Sequence, residues 1–152
     1  MGLLARLLGR SSAAPDLLTD LTEEYRAHLE LAGQLRHHAR RARYPQIAAL
    51  LDELASIDER HAGWLREHIA ARGGRIPEVA VPELPGRNQW ERASAAARAA
   101  RQMRRSLLDR IARWDPDEPE TVALLERIER EDTARLDVLD RIVMRSDPQA
   151  LD

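Results

Sequence analysis

The chain is 152 residues long, 43 % apolar and 33 % charged, with a formal net charge of −2. That length fits one domain with a single core, and the near-neutral balance gives no electrostatic case for nucleic acid. With no cysteine there is no disulfide framework, no thiolate metal site and no thiol chemistry, which fits a cytoplasmic protein. Every basic residue is arginine and aromatics are only 3 %. Good helix formers dominate, so a helical core of leucine, isoleucine, valine and alanine is expected.

Residues 1–15 read as an amphipathic peptide and a linker. Leucines stand at 3, 4, 7 and 8, and Ser11-Ser12-Ala13-Ala14-Pro15 follows. Such a peptide can dock to a protein or a membrane surface, or pack on its own bundle. Arg6 interrupts the apolar run, which argues against a signal peptide. No apolar run approaches the roughly 20 residues a bilayer needs.

The first helix is expected over 16–43. Its stripe is Leu17, Leu21, Glu24, His28, Leu31, Leu35 and His38, so an acid breaks an apolar face. Tyr44-Pro45 ends it, because proline disfavours helical geometry in the preceding residue. The second helix runs from Pro45 to the stop signal Gly73-Gly74. Its stripe is Ile47, Leu51, Leu54, Asp58, His61, Leu65 and His68, with an acid and a histidine one turn apart. A charge on a buried stripe is costly unless it is paired or bound to a metal.

Residues 75–88 hold three prolines and no helical period. Extended, they span roughly 45 Å, against roughly 40 Å for a helix of the expected length. The connection is therefore long enough to run back along the bundle, so that the second and third helices start at the same end. The third helix, 89–114, presents Trp90, Ala93, Ala97, Ala100, Met103, Leu107, Ile111 and Trp114, with no acid on the stripe. Its run of arginines reads as a solvated face paired to acids of the fourth helix. The fourth helix, 120–145, shows Val122, Leu125, Glu129, Asp132, Leu136, Leu139 and Val143. A shift of 71 positions lays Asp58 and His61 over Glu129 and Asp132, so the chain reads as two related hairpins. Residues 16–146 make the bundle and 147–152 a tail.

Inward acids on three helices would repel one another unless each is protonated or shares a cation. Oxygen and imidazole donors suit hard or borderline metals. Alternatively, the acids lie at the flank of each stripe and pair with Arg135, Arg26, Arg98 or Arg101. His28, His37, His38 and His68 are most simply polar-face or packed residues.

The stretch from Tyr44-Pro45-Gln46-Ile47 through Asp58-Glu59-Arg60-His61 to Leu65 resembles the second helix of rubrerythrin-type ferritin-like proteins. The resemblance implies an all-α ferritin-like four-helix bundle with a long crossover between helices 2 and 3. It implies a site for iron, or manganese, that reacts with dioxygen or peroxide as a di-iron-type oxidoreductase does, in a homo-oligomer such as a dimer. By position it makes Glu24, Asp58, His61, Glu129 and Asp132 the metal ligands. This sequence departs from the family's pattern at three points. Asp58 replaces a glutamate, Asp132 replaces a histidine, and Ala95-Ala96-Ala97 stands where helix 3 supplies an acid. The alternative is a metal-free bundle serving as a structural or interaction module, with residues 1–10 as its docking peptide.

Overall fold

In the computed structural model, which describes residues 16–151, the chain forms α1 (Leu17–Arg41), α2 (Pro45–Ala71), α3 (Gln89–Trp114) and α4 (Pro119–Arg145). The peptide expected at 1–15 lies outside the described residues. Among those described there is no strand, and no helix is long and apolar enough to cross a membrane.

Local chemistry sets the ends. Asp16 caps α1 by accepting from the Leu18 amide at 3.1 Å and the Thr19 hydroxyl at 2.8 Å. The helix stops at Arg41, two residues before the expected end, because the backbone is already extended at Ala42 ahead of Tyr44-Pro45. Pro45 opens α2, where a missing amide costs nothing. At its other end Gly73 adopts φ +72°. The Gly73 amide then reaches Ala70 O at 3.0 Å and the Gly74 amide reaches Ile69 O at 2.9 Å. This pair of bonds closes the helix, and the left-handed residue between them favours glycine. Asn88 caps α3 through the Glu91 amide at 2.8 Å.

The 73–88 segment runs back along α1, as expected. Gly74 lies against Leu18, Val81 lies against Gly33, and Gln34 Nε2 donates to Pro82 O at 3.2 Å. The start of α3 then meets the end of α4, where Gln89 Nε2 donates to Ser146 Oγ at 2.8 Å. Tyr44, at the start of α2, lines a small cavity with the same two residues. At the opposite end His68 bonds Thr121 and Arg72 bonds Glu118. Helices α2 and α3 therefore start at one end, and the bundle has a crossover rather than a plain up-down order.

The apolar core is in two parts. One gathers Leu31, Leu35, Leu51, Leu54, Ala96 and Leu139. The other gathers Leu21, Tyr25, Leu65, Ile69, Leu107 and Leu125. Burying each large aliphatic side chain contributes about 1.5–3 kcal/mol. Between the two parts, on α1, α2 and α4, lies a buried polar layer.

Candidate metal centre

That layer consists of Glu24, His28, Asp58, His61, Asp132 and Arg135, each no more than 1 % exposed. Leucine or isoleucine closes it on both sides: Leu21 and Leu31 on α1, Leu54 and Leu65 on α2, Ile128 and Leu139 on α4. The layer therefore has little water to solvate its charges, and compensation must come from within it.

Four of its residues converge. His28, Asp58, His61 and Asp132 each offer one ligand atom, and these atoms lie within 4.8 Å of one another. The imidazoles are oriented by carboxylates. His28 Nδ1 donates to Asp58 Oδ1 at 2.8 Å, and His61 Nε2 donates to Glu131 Oε2 at 2.8 Å. Glu131 sits at the rim, 34 % exposed, where Arg60 also holds it. The second nitrogen of each ring, His28 Nε2 and His61 Nδ1, has no hydrogen-bond partner, and neither have Asp58 Oδ2 and both Asp132 oxygens. His61 Nδ1 faces Asp132 Oδ1 at 3.3 Å.

Arg135 supplies a fixed cation from the same layer. Its guanidinium bonds Asp58 Oδ1 and lies 3.3 Å from Asp132 Oδ2. Burial opposes its charge, but Asp58 and Asp132 outweigh burial and raise its pKa. Burial likewise works against the Asp132 carboxylate, yet His61 and Arg135 hold its pKa below the usual range. For His28, burial pulls the pKa down and the bond to Asp58, with the Asp132 charge, raises it overall. Burial dominates at Glu24 and pushes its pKa up.

Of the five ligands expected from sequence, Asp58, His61 and Asp132 come together. Glu24 and Glu129 are not in the converging group. Glu24 accepts from Arg110 Nη1 at 2.9 Å. Glu129 is turned toward Arg104, whose Nε and Nη2 lie 3.0 and 2.9 Å from one oxygen. His28, set aside by the sequence reading, joins the group. Its signal was its place on the Glu24 stripe.

The internal repeat also shifts by one turn. Leu51, Leu54, Asp58, His61 and Leu65 match the buried Leu125, Ile128, Asp132, Arg135 and Leu139 at a shift of 74 rather than 71 positions. Steps of three and four both keep to one stripe, so periodicity fixes the face but not the turn at its centre. In the observed register Asp132 is the counterpart of Asp58, and Arg135 is the counterpart of His61. Helix α3 brings no carboxylate to the group; its buried residues are Arg92, Ala93, Ala95, Ala96, Ala97, Ala100, Met103 and Leu107.

No protein-family model matches the chain, and no curated protein matches it. Solved structures do. The crystal structure of BfrA from M. tuberculosis, a bacterioferritin, superposes with a TM-score of 0.77. The two chains are 20 % identical, and the match covers 84 % of this chain and 83 % of that one. The fold is ferritin-like. At this identity the likeness shows the fold alone, and a fold does not carry a function by itself. What the ferritin-like bundle contributes is a place. Its helix-centre positions face inward, and in di-iron carboxylate bundles glutamates and Glu-x-x-His pairs occupy that level. Here the level holds a buried group of two histidines and two aspartates that can bind a metal.

Proposed function

We propose that this ferritin-like bundle is a metalloprotein that holds iron or manganese among His28, Asp58, His61 and Asp132, and that it acts on dioxygen or peroxide. The observation that carries the reading is the set of orphaned atoms. His28 Nε2 and Asp58 Oδ2 are buried without a hydrogen bond, and His61 Nδ1 and both Asp132 oxygens have only ion-pair contacts at 3.3 Å, in residues whose ligand atoms converge. Buried polar atoms are rarely left unpaired, and mixed imidazole and carboxylate donors suit first-row transition ions. A bound ion would supply redox and Lewis-acid chemistry.

The chain's own residues do the rest. Glu131 fixes the His61 ring in the manner of a carboxylate behind a metal-bound histidine. The leucines above and below exclude water. Glu24 and Glu129, each already held by an arginine, stay outside the ligand set proposed. Self-association as a dimer and a cytoplasmic setting belong to the same reading; docking through residues 1–10 belongs to the alternative below.

The test is elemental analysis after growth with added iron or manganese, comparing the native chain with His61→Ala and Asp132→Asn. Metal in the native chain that is lost from both variants supports the reading. A native chain that retains no metal sinks it.

A second reading has one observation in its favour. Arg135, Arg110 and Arg104 already neutralise acids that a metal would otherwise hold. Under it, the bundle is a metal-free structural or interaction module, and the polar layer fixes helix register.

A further inference from the structure

We infer that the centre takes one metal ion, not two, and that the Arg135 guanidinium is a built-in replacement for the second ion. The inference rests on the metal-binding reading above.

Three observations carry it. The first is register. The inward pair of α2 is Asp58 and His61, and the matching inward pair of α4 is Asp132 and Arg135. The position that would supply a second imidazole from α4 instead holds a permanent cation with no acceptor atom. The second is the bare face of α3. A dinuclear bundle needs a carboxylate from that helix, and its buried positions here, five alanines with Arg92, Met103 and Leu107, include none.

The third is charge. Glu24 with Arg110, and Glu131 with Arg60, are pairs that balance themselves. That leaves Asp58 and Asp132 at −2 and Arg135 at +1, a net of about −1 once the imidazoles are neutral, as they must be to ligate. One divalent ion brings the layer to about +1, and two bring it to about +3. The layer is closed by leucine and isoleucine, so nothing there solvates the larger excess. Arg135 also lies against both aspartates, so it neutralises the two side chains that would otherwise bridge a pair of ions.

Arg135 thus has a role that a purely structural ion pair would not have. It sets the number of ions. It also weakens the one site it leaves, because its charge repels the incoming cation.

The experiment uses the full chain, stripped with chelator and dialysed under argon against manganese(II). Elemental analysis at saturation gives the ions per chain, and electron paramagnetic resonance reports whether they are isolated. One ion per chain, with the six-line spectrum of an isolated manganese(II), is expected. Two per chain, or the multiline spectrum of an exchange-coupled pair, overturns the inference and leaves the metal-binding reading standing. No manganese bound, with iron(II) giving the same result, overturns both. Arg135→Gln removes the cation and keeps a polar side chain of similar reach. It is expected to bind the first ion at least about tenfold more tightly, and an unchanged or weaker affinity refutes the repulsive role. The native stoichiometry decides the count even if that variant does not fold.

Discussion

Removing the Asp58 carboxylate from the metal-free protein is the sharpest perturbation of the polar layer. Asp58 and Arg135 both have fully buried side chains. In Asp58→Ala the guanidinium keeps only the Asp132 oxygen at 3.3 Å, and His28 loses its Nδ1 partner. Stripping one member from a buried pair costs about 3–5 kcal/mol, because the remaining charge stays buried and uncompensated. In a chain of this size each kcal/mol moves the melting temperature by about 2–4 °C. A fall of about 6–20 °C is therefore expected in a thermal melt followed by circular dichroism with chelator present. The exposed pair Arg101–Asp140, half in solvent on both sides, provides the control. Arg101→Ala should cost no more than about 1 kcal/mol. A double-mutant cycle of Asp58→Ala with Arg135→Met separates the pair from general damage. Residues that touch in this way couple by about 0.5–3 kcal/mol. An Asp58→Ala loss as small as the surface control, or a cycle with no coupling, refutes the view that the layer holds its charges by mutual compensation.

Further outcomes follow from other parts of the molecule. His28 has a raised pKa in the folded state, so its contribution is full below its unfolded pKa of about 6.5 and is lost as pH rises through the folded value. His68 works in the opposite sense, since burial, then Arg72, lowers its pKa. Urea unfolding of the metal-free chain at several pH values should therefore show a native-minus-His28→Gln difference that shrinks above pH 6.5, and a flat difference contradicts it. Gly33→Ala places a Cβ 2.5 Å from Val81 Cγ1. The expected loss is about 1–3 kcal/mol, despite alanine's better helix propensity. Val81→Ala in the same chain should recover most of it, whereas no recovery would mean that the crossover does not pack there. Glu131→Gln removes the carboxylate that orients His61. It should weaken manganese binding by about 10–100-fold without changing the ions bound at saturation, which equilibrium dialysis reads directly.

Much of the bundle was legible in the residues. Tyr44-Pro45 and Gly73-Gly74 mark the ends of α2 by backbone sterics that no distant contact overrides. The three prolines of 75–88 exclude a helix there, and the reach of that segment matches the crossover observed along α1. Asp58, His61 and Asp132 were legible for one physical reason: each interrupts a stripe of leucines, and burial demands compensation.

What escaped was register and reach. Glu129 and Arg135 lie on opposite sides of Asp132, one turn each way. Stripe counting cannot say which of them faces the core, because the stripe is wider than one position. The packing resolved it, with Ile128 and Leu139 buried and Glu129 turned to Arg104. Arginines add a second difficulty. Their length lets Arg104 and Arg110 reach acids on other helices, and no pattern along one helix reports that. His28 gives a weaker signal along its own helix. On sequence it stands as a lone histidine on the Glu24 stripe, and only packing places it across from Asp58.

The central claim is that the buried histidines and aspartates bind a metal. Anaerobic calorimetric titration of iron(II) into chelator-stripped protein tests it most directly, comparing the native chain with the Asp58→Asn, Asp132→Asn double variant, which keeps the side-chain shapes. Saturable binding in the native chain and none in the double variant is the predicted result. No saturable binding to the native chain, or equal binding to both, would contradict it.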